Sequence, residues 1–346
     1  MSAVRLLLPL VLALLAARQA EACECPGTGP PCQAAWNADA VFVGTVRSLD
    51  RLPHDEAGRP YETILVRFDV EQGFVNAAPG MLELRTAAHG TACGYHFTAG
   101  KRYLVYARKT PHGSWSAGSC SRTRPIEQAG DDLQYFTALP EPTGGRVFGS
   151  VRHRQRDPYE NRAVDYGPLE GLTVSAAGAG FYFEAVTDAS GRFDIMNLPV
   201  GQAAVALRAP HGAAGWFERD IELRDPRACS EQNFEVTYVA AAHGRVLDAS
   251  GRPAAGVMVD AVAAELAGHG PEPFQAPART DEQGHFAFEA LPPGDYVFGV
   301  NLTRRFGKPP PAPPVFLPGT RRADQADIVR LERGARVDLG VLSLSD

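Results

Sequence analysis

Three residues near the start of the chain, Cys23-Glu24-Cys25, have the types and spacing best suited to chemistry. They follow a basic residue (Arg5), an apolar run from Leu6 to Ala17 and a small-x-small site, Ala20-Glu21-Ala22. The run is too short and wrongly flanked to span a bilayer, so residues 1–22 read as a cleaved secretory signal. Cleavage after Ala22 makes Cys23 the first residue and frees its α-amine. A Cys-x-Cys at a new N-terminus can do what an internal one cannot. With both thiols in disulfides, the amine and its neighbouring carbonyl are held at one fixed place. Such a pair is a bidentate ligand for a zinc ion that belongs to another protein. The amine must be neutral to bind, and its unperturbed pKa of about 7.7–8.0 makes that accessible near neutral pH. The competing reading makes both cysteines staples and nothing more. Acylation of Cys23 is disfavoured, because the leucine that a bacterial lipoprotein signal carries three residues earlier is Ala20 here.

The remaining reactive side chains are dispersed. Nine histidines stand singly, and without a His-Glu-x-x-His a zinc hydrolase of that type is unsupported. His269-Gly-Pro-Glu272 has the spacing of two carboxypeptidase zinc ligands, with only His285 following as a third. Its Gly/Pro-rich setting reads as a solvated loop. His54-Asp-Glu56, ahead of Gly58 and Pro60, reads as an exposed turn, and His89 and His96, flanking Cys93, as surface or turn residues. Gly113-Ser-Trp-Ser-Ala-Gly118 misses the Gly-x-Ser-x-Gly spacing, and no glycine pattern suits a phosphate. Asp188 and Asp281 could suggest calcium, but a lone turn aspartate is more often an Asx-turn. Asn301-Leu-Thr303 is a glycosylation sequon only in a host that glycosylates. No catalytic residue, resident metal or cofactor follows from these residues.

The elements that must position the Cys-x-Cys are strands. The full chain carries a net charge of −6. Loss of Arg5, Arg18 and Glu21 takes 34 basic and 40 acidic residues to 32 and 39, a net charge of −7. A mild acidic excess without clustered Lys/Arg argues against nucleic acid or anionic membrane as partner. No second apolar segment approaches membrane-spanning length, so the mature protein is expected to be soluble and secreted, extracellular or periplasmic. Abundant Gly and Pro between short β-branched and aromatic bursts fit all-β domains joined by tight turns. Six cysteines remain, Cys23, Cys25, Cys32, Cys93, Cys120 and Cys229. An even number in a secreted chain favours disulfides, and sequence alone does not choose the pairing.

Bursts at Ala40–Val46, Ile64–Val70, Met81–Thr86, Gly100–Ala107 and Ser114–Cys120 read as five strands. Ile126, Leu133, Phe136 and Leu139 then fall at helical spacing behind Pro125, a plausible first helical residue. Five strands and a terminal helix describe a small closed barrel of the oligonucleotide/oligosaccharide-binding (OB) type over residues 23–140.

The ordered set Cys23-x-Cys25, Cys32, Ala40-Val-Phe-Val-Gly, Cys93-Gly, Gly100-x-x-Tyr-Leu-Val-Tyr and Ser119-Cys-Ser-Arg-Thr resembles the netrin-like family. Within it the tissue inhibitors of metalloproteinases are most alike. That resemblance implies the bridges Cys23–Cys93 and Cys25–Cys120. It also implies inhibition of a secreted metalloprotease, with the Cys23 amine and carbonyl on the target's zinc and the second residue's side chain in its specificity pocket. Here that residue is Glu24, a carboxylate that is expensive to bury unpaired, so the target would need a basic pocket. The family's third bridge begins at the position of Cys32, but its usual partner has no counterpart. Cys32 is therefore free or reaches Cys229.

Beyond the barrel, Thr187-Asp-Ala-Ser-Gly-Arg-Phe-Asp-Ile-Met-Asn-Leu-Pro-Val-Gly201 matches Thr280-Asp-Glu-Gln-Gly-His-Phe-Ala-Phe-Glu-Ala-Leu-Pro-Pro-Gly294, 93 residues on. A period of that size means duplicated domains. Asp-x-x-Gly is a turn whose glycine (Gly191, Gly284) is free to take φ > 0. Phe193 and Ile195, or Phe286 and Phe288, then point inward, and Leu-Pro-x-Gly ends the strand. Val337, Leu339 and Val341 are expected to form the inward face of a closing strand. The pattern resembles carboxypeptidase regulatory-like β-sandwiches at 145–240 and 241–346, which accompany secreted enzymes, receptors and adhesins as spacers or as protein- and carbohydrate-binding modules. The proline run Lys308–Pro314 should be extended and semi-rigid. The whole reads as an all-β chain: an OB-fold barrel with a terminal helix, then two tandem sandwiches. Its expected role is metalloprotease inhibition or, alternatively, non-catalytic scaffolding that recognises protein or glycan at a cell surface.

Overall fold

A computed structural model describes residue 25 and residues 27–52, 63–88, 93–304, 307–310 and 312–344. The signal segment, Cys23, Glu24, the His54–Glu56 turn, His89 and Pro311 lie outside the described residues.

A short helix α1 (Pro31–Asn37) leads into strands β1 (Ala40–Leu52), β2 (Thr63–Val75), β3 (Gly80–Ala87), β4 (Arg102–Lys109), β5 (Trp115–Ser116) and β6 (Arg124–Pro125). A 3₁₀ turn (Ile126–Gln128) and helix α2 (Gly130–Thr137) follow. The strand order is β1-β2-β3-β5-β4, and β4 returns to pair with β1, so the sheet closes. The β3–β5 pairing is parallel. A five-stranded barrel closed in this order is the OB-fold, and closure leaves no open edge to manage.

Ala40–Val43 of β1 and Tyr103–Ala107 of β4 are unbroken apolar runs. Phe42, Val46, Val66, Phe68, Leu84 and Val105 fill the barrel interior. Residues of the opposite parity, Val41, Val43, Leu104 and Tyr106, pack beneath the helices against Ala35, Ala129 and Phe136. Strands buried on both faces lose the polar alternation of a half-exposed strand. Two expectations need correction. The strand expected over Ser114–Cys120 shrinks to β5, because Gly118 leaves the sheet for an isolated bridge with Gly94. Pro125 closes β6 rather than opening a helix, and Leu139 lies past the end of α2.

The next strands are β7 (Gly145–Arg156), β8 (Ala163–Pro168), β9 (Thr173–Gly178), β10 (Phe181–Val186), β11 (Arg192–Leu198), β12 (Gly201–Leu207), β13 (Ala213–Ala214), β14 (Glu218–Leu223) and β15 (Cys229–Tyr238). They form sheets β10-β9-β12-β14 and β11-β7-β15-β13, with β8 on β7. Then come β16 (Ala240–Leu247), β17 (Met258–Ala263), β18 (Ala278–Arg279), β19 (His285–Leu291), β20 (Gly294–Val300), β21 (Val315–Phe316), β22 (Val329–Leu331) and β23 (Arg336–Ser343). These pair as β19-β16-β23 and β18-β17-β20-β21, with β22 on β20. The chain divides into two compact units. One comprises the chain through Val147 with Met196–Gln202 and Glu222–Glu231; the other comprises Phe148–Ile195, Ala203–Ile221 and the chain from Gln232 onward.

The repeated motif has a physical reason at each position. The buried Thr187 hydroxyl accepts from the Leu172 amide (2.9 Å) and donates to the Leu169 carbonyl (2.7 Å). Thr280 does the same with Val257 and Ala254 (2.8 and 2.7 Å). Asp188 accepts from the amides of Ser190 and Arg192, and Asp281 from those of Gln283 and His285. The pentapeptide Asp-Ala-Ser-Gly-Arg at 188–192 recurs at 248–252, where Asp248 accepts from Ser250 and Arg252 in the same way. Phe193, Ile195, Phe286 and Phe288 are buried. In β23 the inward face differs from expectation. Gly340 (φ +69°) sits where an extra residue enters the pairing with β16 between Asp338 and Val341. Such a bulge reverses facing beyond it, so Leu342 is buried and Val341 is 43% exposed.

Gly191 and Gly284 have φ of +70° and +79°, and a Cβ at either would come 2.5 Å from the carbonyl oxygen of Val151 or Val246. Gly251, at φ +77°, has open space. Gly251→Ala should therefore cost only the left-handed penalty of about 1–2 kcal/mol. Gly284→Ala should cost clearly more in urea unfolding, and equal costs would show that the backbone yields.

Candidate functional site

The site to build is the segment that follows the Cys-x-Cys. Cys25, exposed, is bonded to Cys120 with a Cα separation of 5.0 Å. Cys93 is also disulfide-bonded; its expected partner, Cys23, lies outside the described residues, as does Glu24. Cys32, on α1, is bonded to Cys229, the first residue of β15, 197 positions later. No described cysteine is free.

A buried charge network holds the segment against the barrel. Asp132, in the first turn of α2, is fully buried. Its Oδ1 accepts from the Tyr106 hydroxyl (2.5 Å) and from Arg122 Nε (2.5 Å), and Arg124 stands 3.7 Å from Oδ2. Arg122 turns its Nη1 to the Gly29 carbonyl at 2.6 Å. Burial, followed by the bond to Asp132, pushes the Tyr106 phenol far above its ordinary pKa, so it remains a donor. The result is a relay from α2 through Arg122 to the backbone four residues past Cys25.

Helix α1 is fixed by a second set. The Gln33 side chain accepts from the Glu231 amide (2.8 Å), and the Trp36 indole donates to the Tyr135 hydroxyl (2.8 Å). That hydroxyl in turn donates to the Arg227 carbonyl (3.3 Å), whose guanidinium lies 6.0 Å from the Trp36 ring centroid. Beside the clamped segment runs a groove of about 480 Å³ lined by Gly27, Thr28, Gln33, Asn37, Arg108 and Arg122, with Cys93 and Cys120 at one side. Of the two arginines in its wall, Arg122 is taken up by Asp132 and the Gly29 carbonyl, whereas Arg108 is exposed.

The other sequence candidates are dispersed. Among the described residues no three His, Cys, Asp or Glu side chains could share a metal ion. His269 is exposed and faces the Ala267 carbonyl (3.1 Å), and Glu272 is exposed. Asp188 and Asp281 use their carboxylates to close turns. Sequence reasoning missed the Tyr106–Arg122–Asp132 relay. The available signal was Arg122-x-Arg124 just after Cys120, with Asp131-Asp132 in the first turn of the helix.

Comparison with known proteins bears on the last sandwich. The model of the carboxypeptidase regulatory-like domain matches residues 241–305. That stretch is a carboxypeptidase regulatory-like domain. No curated protein matches the chain. Solved structures similar to the chain include the Bacillus anthracis TIE protein, at 12% identity and a TM-score of 0.31, covering 90% of this chain and 52% of that one. This chain therefore spans about half the length of that protein. GBS52, the minor pilin of Streptococcus agalactiae, is similar at 14% identity and a TM-score of 0.22 over 58% of this chain and 96% of that one. The shaft pilin SpaA from Lactobacillus rhamnosus GG gives 10%, 0.21, 58% and 98%.

Asp132→Asn would strand the Arg122 guanidinium, 11% exposed, without its counter-charge. Breaking a buried pair in this way costs about 3–5 kcal/mol. Thermal unfolding of the variant should show a loss of that size. A change below about 1 kcal/mol, the ordinary worth of a surface pair, would assign the pair no weight.

Proposed function

We propose that this protein is a non-catalytic extracytoplasmic scaffold that binds protein or glycan at a cell surface. The observation that carries the reading is the Cys32–Cys229 bridge beside Cys25–Cys120. Structural bridges form and persist in oxidising compartments and are rare in the cytosol. Asp132 is spent on Tyr106, Arg122 and Arg124, and the turn carboxylates Asp188 and Asp281 on backbone amides, which leaves them no part in turnover. No helix among the described residues is long and apolar enough to cross a membrane. The carboxypeptidase regulatory-like domain supplies a module type that serves as spacer or binding surface, and the preceding sandwich, built on the same Thr-Asp-x-x-Gly device, is proposed as a second such domain. Fractionation of producing cells should recover the protein oxidised and outside the cytoplasm. Recovery in the cytoplasm with free thiols would sink the reading, as would turnover of a peptide, ester or glycoside substrate that co-purifies with it.

A second reading has one observation in its favour. Residues just after Cys25 are fixed both by the Cys25–Cys120 bond and by the Arg122–Gly29 clamp. A rigid ridge loses no ordering entropy on entering a cleft, which suits a netrin-like inhibitor that presents the Cys23 amine and carbonyl to a secreted metalloprotease's zinc and Glu24 to its pocket. A single alanine added ahead of Cys23 should abolish inhibition. Inhibition by the unextended protein should strengthen as pH rises through about 8, where the amine loses its proton. Equal inhibition by the extended protein would remove the amine as ligand.

A further inference from the structure

Within the second compact unit the two sandwiches meet at a seam around Val239. The Val239 amide donates to the Gly212 carbonyl (2.8 Å), and its carbonyl accepts from the Gly334 amide (2.8 Å). The Ala241 amide donates to Ala335 (2.8 Å). The turn between β22 and β23 thus docks on the end of β15 and on the His211-Gly212 turn. A Cβ at Gly212 would come 2.3 Å from the Gly334 nitrogen, so the approach is close.

Three side chains run in file across this seam. The Arg333 guanidinium lies 4.0 Å from the Tyr238 ring centroid, within cation–π range. The His153 imidazole meets the Tyr238 ring edge-on, with centroids 4.9 Å apart at 76°, and stacks on Tyr166 at 4.8 Å and 23°. The Gln155 side-chain oxygen accepts from the Tyr238 amide (3.0 Å) and stands 3.4 Å from His153 Nε2. One aromatic ring is therefore shared by a permanent cation from the second sandwich and a titratable ring from the first.

We propose that this file is an acid-released latch: neutral His153 lets the Arg333 turn dock on Tyr238, and protonated His153 expels it. A proton on His153 would put a second cation in a half-buried site beside Arg333. The groups that face His153 are Tyr166 and Asp165 from β8, Tyr238 from β15, Gln155 from its own strand, and Arg333. Of these only Asp165 could neutralise the new charge, and it is already held by Arg152 (2.9 Å) and Arg154 (3.9 Å). Burial first, and the Arg333 charge after it, hold the imidazole below its ordinary pKa against the opposing pull of Gln155 and Asp165. The sign follows from linkage. The undocked form, with a nearly ordinary imidazole, takes the proton more readily than the docked one. Docking is thus fully supported above about pH 6.5 and weakens as pH falls through the lowered value.

Hydrogen–deuterium exchange of the whole mature chain, corrected for intrinsic rates, tests this at the Val239, Ala241 and Gly334 amides. Between pH 7.5 and 5.0 their protection should fall, because the proton favours the undocked form. Barrel amides such as Leu104 and Tyr106 should hold theirs. In His153→Gln the seam's protection should become independent of pH, whatever its level. Arg333→Leu should shrink the response, and His211→Gln, which alters the seam's other histidine, should keep it. Unchanged wild-type protection, a wild-type response in His153→Gln, or a response abolished by His211→Gln alone would each overturn the latch. Should His153→Gln fail to fold, the His153 ring resonances of the wild type must titrate with the same midpoint as the loss of protection. A different midpoint overturns the proposal equally.

Discussion

A carboxylate with no water around it must be answered by its neighbours, and the barrel is arranged to answer one. Asp132 is fully buried. Its Oδ1 draws together α2, strand β4 through Tyr106 and the segment after Cys120 through Arg122, which also holds Gly29, while Oδ2 has no hydrogen-bond partner and faces Arg124 at 3.7 Å. Removing either charge alone leaves the other uncompensated, so the network is cooperative and unforgiving. A hydrophobic substitute of equal volume could stabilise the barrel as well. It could not reach the Gly29 carbonyl. The charge is therefore best understood as fixing where the backbone at Gly29 lies.

The disulfides act on the same segment from another direction. In a chain-entropy argument, closing either Cys25–Cys120 or Cys32–Cys229 is worth about 5 kcal/mol, because the gain grows only with the logarithm of the loop. What distinguishes the two is timing. Cys120 follows Cys25 by 95 residues, whereas Cys229 follows Cys32 by 197. The barrel's own strands are complete long before Cys229 is made. Glu222–Glu231, which supplies the partners of Gln33, Cys32 and Tyr135, belongs to the same compact unit as the barrel. That unit is thus finished only by a segment from far down the chain.

How much of this was legible depended on whether the determinant was local. The Thr-Asp-x-x-Gly-x-Phe motif could be read because every hydrogen bond of its Asx-turn lies within four residues, and the glycine's conformation is demanded on the spot. The barrel strands were legible from apolar runs. Helix α1 was not: seven residues with Pro31 at the start carry little intrinsic signal, and α1 is held by Cys229, Tyr135 and Glu231. The buried relay was equally hidden, since Gly29, Tyr106, Arg122 and Asp132 are neighbours only after folding. In β23 the period-2 pattern correctly gave a strand but placed Val341 inward. One glycine with φ +69° moved Leu342 there instead.

The two sandwiches show how one local device can serve different ends. Thr187 and Thr280 each tie a loop to the strand that follows, and Asp188 and Asp281 each close the turn, so the copies share the same internal wiring. Copying that wiring does not fix how two sandwiches are joined. The joint needs residues outside the repeat, and here it is made by Tyr238, Arg333 and His153, none of which belongs to the shared motif. Tyr238 closes β15 two residues before β16 begins, so its ring sits where one sandwich hands over to the next. A cation–π contact is weaker than a hydrophobic core. That makes the seam, rather than either sandwich interior, the place where a single proton is large enough to matter.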